Sequence, residues 1–152
     1  MPRAAFASPV SEDPTDSTDP RVAGQIAEYL ESGGERPVHP SGAPLLLLTT
    51  RGRSTGIRRR TMLIYGRSGD DLLVVASRGG SDRHPAWYLN LVADSDVTTQ
   101  LGTLVSARSA RTLDGEERER AWQVMLGVLP AYASMQASTS REIPVVALAP
   151  AI

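Results

Sequence analysis

The apolar positions change period several times along the chain, and each change marks an element. Val22, Ala23, Ile26, Ala27 and Leu30 recur at helical spacing and predict an amphipathic helix. Asp19-Pro20 supplies an N-cap followed by proline at the first helical position, and Gly33-Gly34 supplies the stop. From Leu45 to Arg51 the leucines run without interruption, which predicts a largely buried strand. Gly52 to Gly56 reads as a turn, Arg58 to Gly66 as a second strand, and Ser68-Gly69-Asp70 as a hairpin turn. Leu72 to Arg78 forms a third strand, ended by Gly79-Gly80, a bend bare enough for another group to approach its backbone.

Pro85 to Val92 reads as a short helix offering Trp87, Leu89 and Leu91 to the core. Asp96 to Leu101 and Thr103 to Leu113 form a hairpin around Gly102. Asp114 then caps a helix with Glu117 as its capping-box partner, and Ala121, Trp122, Met125, Val128 and Leu129 form the buried stripe. Pro130 interrupts that helix, Tyr132 to Ser138 adds a short helical turn, and Ile143 to Leu148 is the last strand. About six mainly antiparallel strands with helices in the connections predict class α+β and a small closed barrel. Residues 1–19 are rich in Pro, Ser, Thr and Asp, carry four acids, and read as a flexible acidic tail before a single domain at 20–152.

Composition narrows the chemistry. A chain of 152 residues can bury a real core, and a net charge of -1 steers it toward neither nucleic acid nor membrane. Cysteine is absent, which excludes disulfides, thiolate metal sites and thiol nucleophiles and fits a reducing cytoplasm. Two histidines, His39 and His84, are too few for a histidine-rich metal cage. No apolar run approaches the ~20 residues of a membrane span, and Met1 to Val10 is too short in apolar residues for a signal peptide. A cytoplasmic location is expected; the sequence offers no support for peripheral membrane association.

All sixteen basic residues are arginine, so Schiff-base and P-loop lysines are excluded. Where this protein needs a cation it uses a planar fork suited to phosphate or carboxylate. Seven arginines (36, 51, 53, 58, 59, 60 and 67) lie between Arg36 and Gly69 with no carboxylate among them. Strand alternation sends Arg58 and Arg60 to one face and places Arg59 with Thr61 and Leu63 on the other. The turn Gly52-Arg53-Ser54-Thr55-Gly56 adds backbone N–H groups and two hydroxyls, the parts of an anion-binding nest. The alternative for Arg58 and Arg60 is a solvated edge that guards a strand against pairing. Nucleic acid fits less well, because aromatic residues make up 5% of the chain and stacking platforms are scarce. Gly52 and Gly56 complete no G-x-G-x-x-G, so a Rossmann domain is not expected.

The order LLLLTTRGRSTGIRR, VASRGG and HPAWYLNL, closed by R-x-I-P-V-V-x-L-x-P from Arg141 to Pro150, resembles the deazaflavin-dependent nitroreductase family. The resemblance spans Leu45 to Pro150. It implies a split β-barrel, a homodimer, and use of reduced coenzyme F420, an 8-hydroxy-5-deazaflavin, to reduce a quinone, enone or nitro compound. By that resemblance Arg53, Ser54, Thr55 and Gly56 form the turn that meets the phosphate and lactyl-glutamate tail. Arg59, Arg60, Thr61, Met62, Leu63 and Ile64 line the strand beneath the cofactor. Val75, Ala76, Ser77 and Arg78, with Ala86, Trp87, Tyr88, Leu89 and Asn90, complete its pocket, and Tyr132 matches a tyrosine over the substrate side.

The chain departs from the family pattern at four places. Ser54 stands where lysine is common, Met62 where proline precedes the next strand residue, and Leu129 and Met135 where two further tyrosines occur in one branch. The last two give a more apolar substrate side. The expected chemistry is hydride transfer from the deazaflavin, with Arg53, Arg59 and Arg78 holding the anionic tail. Ser77 and Tyr132 are the candidate catalytic residues, polarising the acceptor oxygen or relaying a proton to it. The competing roles are a strand-end hydroxyl bonded to backbone for Ser77 and a core or interface aromatic for Tyr132. An FMN-dependent reductase on the same barrel, or a non-catalytic flavin-binding protein, remains the alternative.

Overall fold

The computed structural model describes residues 14–16 and 19–151. Seven strands form one antiparallel sheet: β1 (Leu45–Arg51), β2 (Arg58–Ile64), β3 (Gly66–Ser68), β4 (Asp71–Val75), β5 (Asp96–Leu101), β6 (Leu104–Thr112) and β7 (Val145–Pro150). Their spatial order is β2-β1-β5-β6-β7-β4-β3. Four helices fill the connections: α1 (Pro20–Ser32), α2 (Ala86–Ala93), α3 (Gly115–Val128) and α4 (Tyr132–Ala137). The class is α+β and the fold a split barrel.

The ladder does not close, contrary to the closed barrel read from the sequence. β2 and β3 are its two ends, and β3 pairs with β4 alone. The expected strand 58–66 is broken at Tyr65, whose N–H turns to the carbonyl of Pro44. Helix α3 fills the opening beside β3. A Cβ on Gly66 would run into the Met125 sulfur and crowd Val128 and Val124, so a glycine there admits the helix.

Leucines 46, 47 and 48 are all but fully buried because β1 is covered on both faces. Leu46 and Leu48 join Leu72, Val74, Val146 and Leu148 on the concave face, which α2 covers with Tyr88 and Leu91. Leu47 faces outward against α1 with Ile26 and Tyr29. A third cluster packs α3 and α4, through Trp122, Met125, Leu129 and Tyr132, on the outer face of β4 and β7. Removing each such aliphatic side chain from water contributes ~1.5–3 kcal/mol.

The caps of α1 form as the sequence predicts: the Asp19 side chain accepts from the Arg21 N–H, and Gly33 turns left-handed at φ 68. Its buried face is rotated from the expected one. Ala27 and Leu30 are exposed, whereas Tyr29 is buried. The Tyr29 ring reaches between β1 and the β5–β6 turn, where its hydroxyl accepts from the Gly102 N–H at 2.8 Å and donates toward the carbonyls of Gln100 and Leu45. A long ring with a satisfied polar tip outcompetes a leucine for that position.

The capping box at Asp114 does not form. The Asp114 side chain makes no capping bond, and Glu117 instead grips Arg111 of β6 at 2.6 and 2.8 Å. That pair holds Glu117 below the usual carboxylate range, through the hydrogen bonds from Arg111 first and its charge second. No helix among the described residues is long and apolar enough to cross a membrane.

Candidate functional site

Two adjoining clefts lie along the free edge of β2. The first, about 450 Å³, is floored by Arg59, Arg60 and Thr61 and walled by the 52–55 turn and by Ala86, Trp87 and Asn90 of α2. The second, about 340 Å³, continues past Met62, Leu63 and Ile64 to Val75, Ser77, Arg78 and Tyr132. Trp87 lines both.

The first cleft is built around Asn90. This side chain is buried, and its Oδ1 accepts from the Arg53 backbone N–H at 3.2 Å and from Arg53 Nη1 at 2.9 Å. Its Nδ2 donates to Thr50 Oγ1 at 3.3 Å. An asparagine on α2 thus ties the turn to β1 and fixes the Arg53 fork at the cleft mouth. The turn is closed independently: Gly56 N–H donates to the Gly52 carbonyl at 2.8 Å, Ile57 N–H to Thr55 Oγ1 at 3.1 Å, and Arg51 Nη1 to the Gly56 carbonyl at 3.0 Å. Gly56 has φ 74, a left-handed conformation that suits glycine.

Arg59 lies on the cleft floor with Arg60 and Thr61, so one cleft gathers arginines that alternation assigns to opposite faces, and among the described residues the Arg59 guanidinium has no ion pair or hydrogen bond. Arg60 is different. Its Nε and Nη2 grip both oxygens of Asp16 at 2.6 and 3.0 Å, and Arg51 lies 3.9 Å from Asp94. The acid-free stretch of sequence is therefore only partly acid-free in space, because carboxylates outside it fold back. Within the cleft, Arg53 and Arg59 have no carboxylate partner among the described residues.

The edge of β2 supplies backbone groups as well. Arg60 N–H and the Arg58 carbonyl point away from β1, toward Thr15. In an antiparallel ladder this alternates, so Met62 and Ile64 also turn their N–H and C=O outward, into the second cleft. Among the described residues the Met62 amide has no partner there. An outward-facing edge position is where a proline is tolerated, so Met62 restores a donor that a proline would lack.

The third strand ends at Val75, three residues earlier than expected. Ser77 takes a helical conformation, Arg78 a left-handed one at φ 45, and Gly79 another at φ 65, so the chain turns through 78–80 instead of extending. A positive φ at arginine costs of order 1 kcal/mol and persists only where surroundings impose it. Arg141 imposes it. Its Nη2 donates to the carbonyls of Ala76 at 3.2 Å and Ser77 at 2.9 Å, its Nε to Ser81 at 2.7 Å, and its Nη1 contacts His84 Nδ1 at 3.2 Å. Burial first, and the charge of Arg141 second, hold His84 below its ordinary value, so the neutral ring presents a lone pair to Arg141. α4 packs against the bend, since any Cβ on Gly80 would collide with Ser138 and Met135.

Tyr132 is buried against Trp122, and burial pushes its hydroxyl up to about 12. That hydroxyl has no partner among the described residues, and the residue lines the second cleft. It is a hydrogen-bond donor throughout the neutral range, never a base. The Ser77 hydroxyl likewise makes no capping bond and sits in the same cleft. Leu129 and Met135 complete an apolar wall, with Pro37, Val38 and Pro40 opposite.

Gly56, Ala76, Tyr88 and Leu89 line neither cleft. Ala76 is fully buried with its carbonyl on Arg141, Tyr88 points into the concave core with its hydroxyl 2.9 Å from Thr112, and Leu89 packs on the same core. Three contributors escaped the sequence reading. Arg141 and Asp16 carried no local sign that they would reach 60 and 44 residues along the chain. The Pro37–Pro40 wall lies in a stretch without periodicity.

A split barrel with two adjoining clefts, one carrying Arg53, Arg59 and Arg60 and the other lined by Leu63, Ile64, Leu129 and Met135, is an arrangement suited to a ligand with an anionic end and a flat ring. The profile of the F420H(2)-dependent quinone reductase family matches residues 21–150. An F420H(2)-dependent quinone reductase of Mycobacterium tuberculosis is 40% identical over 112 residues, covering 72% of this chain and 75% of that protein. A solved F420-H2 dependent reductase, FDR-A, superposes with a TM-score of 0.65 at 40% identity, over 69% of this chain and 93% of that one. A structure described as a domain-swapped dimer gives a TM-score of 0.68 at 35% identity, over 83% and 92%. The chain belongs to the F420H(2)-dependent quinone reductase family. It is an oxidoreductase whose cofactor is coenzyme F420, and these names give no support to FMN.

Proposed function

We propose that the chain reduces a quinone or a similarly flat, oxygen-bearing acceptor, with the cofactor's tail in the first cleft and its ring in the second. The observation that carries this reading is the continuity of the clefts across Trp87, from the arginines at one end, Arg59 among them without a partner among the described residues, to the Leu129 and Met135 wall at the other. The residues present fit the group. Arg59, Arg53 and the hydroxyls of Ser54 and Thr55 suit phosphate and carboxylate. The outward N–H and C=O of Met62 and Ile64 match the amide-like edge of a deazaflavin.

When bound, reduced coenzyme F420 supplies the hydride. The protein would contribute placement: the β2 edge and Trp87, which line both clefts, would hold the ring, and such a transfer needs reacting carbons ~3–3.5 Å apart. Tyr132 and Ser77 donate hydrogen bonds to the acceptor oxygen, stabilising the negative charge that develops there. Leu129 and Met135 line that end of the cleft with apolar surface. Related assemblies favour a homodimer for this chain too.

The test is optical. Purified protein, reduced coenzyme F420 and menadione, an enone or a nitroaromatic are mixed, and return of the oxidised cofactor's absorbance is followed. Quinone should restore it fastest. Failure of every acceptor to restore it would replace this reading with that of a cofactor carrier.

A further inference from the structure

The segment Pro14–Asp16 lies against the part of β2 that floors the cationic cleft. Thr15 N–H donates to the Arg58 carbonyl at 2.7 Å, and Arg60 N–H donates to the Thr15 carbonyl at 3.1 Å, a single parallel bridge onto the strand's free edge. Asp16 then takes Arg60 in a two-point grip. Among the described residues, those two backbone bonds and one ion pair hold the segment there. The pair is about a quarter exposed on each side, at 21% and 26%, so water screens it.

A carboxylate in this place has an electrostatic consequence. Arg60 lines the cleft beside Arg59, and an incoming phosphate or carboxylate that reaches Arg60 must displace Asp16. The competitor is tethered, so its effective concentration is in the millimolar range whatever the dilution of the protein. A lone inorganic phosphate meets that concentration unaided. A ligand with several linked anions, already held at Arg53 and Arg59, brings its own tethered acid to the contest. The segment is also cheap to release, because a one-residue bridge gains little from sheet cooperativity.

We propose that Pro14–Asp16 is a displaceable strap: Asp16 occupies Arg60 in place of an acidic group of the cofactor's tail and sets the cleft's selectivity for tail charge. This rests on the placement of that tail along Arg53, Arg59 and Arg60. Tailed cofactor lifts the strap from β2, whereas a deazaflavin riboside with neither phosphate nor glutamates leaves it in place.

Full-length protein and the variant Asp16→Asn are titrated with oxidised coenzyme F420 and with the tailless deazaflavin riboside, following ligand fluorescence. The variant should bind the tailed cofactor roughly threefold more tightly, the scale of a partly exposed ion pair, and the riboside unchanged. Thr15→Pro, which removes the donor to Arg58, should act in the same direction. Hydrogen exchange of the Thr15 amide in the unmodified chain should accelerate when tailed cofactor is added. Equal or weaker binding of the tailed cofactor by Asp16→Asn, or slower exchange at Thr15, would overturn the proposal. Arg59→Ala separates the two levels: if it weakens tailed binding while Asp16→Asn does nothing, the cleft stands and the strap falls. If Arg59→Ala also does nothing, both fall.

Discussion

Asn90 and Arg53 meet at two points, with one amide oxygen accepting from both the backbone and the guanidinium of the same residue. The pairing converts a surface turn into a fixed part of the cleft, since α2 is itself seated in the core through Tyr88 and Leu91. Asn90→Leu keeps the branched shape and removes both bonds. Cofactor affinity should fall ~10-fold, the worth of one hydrogen bond to a charged group, and so should stability, by ~1–2 kcal/mol, because Thr50 also loses its partner. Fluorescence titration reads the first and denaturant unfolding the second. Unchanged affinity in a folded variant would show that the turn needs no support from α2.

Arg59 separates binding from folding in the other direction. Its guanidinium has no partner to lose among the described residues, so Arg59→Ala should leave the melting temperature within a degree or two. Its removal should raise the cofactor dissociation constant ~10-fold or more, consistent with ~1.5–3 kcal/mol for a charge-assisted bond. The loss should shrink as salt rises. A variant that melts early but binds normally would place Arg59 in the scaffold.

Tyr132→Phe should lower turnover and leave cofactor affinity nearly intact. The hydroxyl is pushed up to about 12 by burial, so it contributes no pH dependence to turnover in the neutral range. In stability the folded value lies above the unfolded one near 10, so the neutral ring's contribution is full below pH ~10 and is lost as pH climbs toward 12. Alkaline denaturation of Tyr132→Phe should therefore lack part of that loss. If the variant weakens cofactor binding alone, the tyrosine belongs to the cofactor and has no part in acceptor reduction.

His84 works at the acid end. Its value in the fold is lowered from 6.5, so the stabilisation it lends is present above pH ~6.5 and is lost as pH falls toward the folded value. Protonation removes the acceptor from Arg141 and sets two cations side by side. Arg141→Met should cost ~2 kcal/mol or more by leaving the carbonyls of Ala76, Ser77 and Ser81 without their donor, and should reduce the acid dependence that His84 contributes, the part due to burial remaining. Thermal melts at pH 5 and pH 7.5, for both chains, test this. Equal acid sensitivity in the variant would move its origin elsewhere.

How much of this was legible beforehand follows from the range over which each signal acts. The β5 boundaries, the α1 caps and the turn at Gly52–Gly56 are encoded within a few residues and were read correctly. Contacts set by distant packing were not legible. Tyr29 displaced Leu30 from the core because a partner waited at Gly102, and Glu117 left its cap for Arg111 on a neighbouring strand. The end of the third strand was misplaced because Arg141 bends it. Within the cleft the arginine cluster announced itself, but its division into a free Arg59 and an occupied Arg60 depended on Asp16. The quoted run HPAWYLNL gathered Tyr88 and Leu89 with Trp87 and Asn90, and only helix geometry sorts those that meet the cleft from those that face the core.

The outward-turned amides of β2 carry a lesson about inheritance. Recognition written in the main chain survives when side chains drift, because Arg60, Met62 and Ile64 would each present the same N–H and C=O whatever residue replaced them, proline excepted. On the proposed placement of the cofactor, lineages sharing this edge would be free to diverge at the Leu129–Met135 wall, trading one electron acceptor for another, without losing the coenzyme.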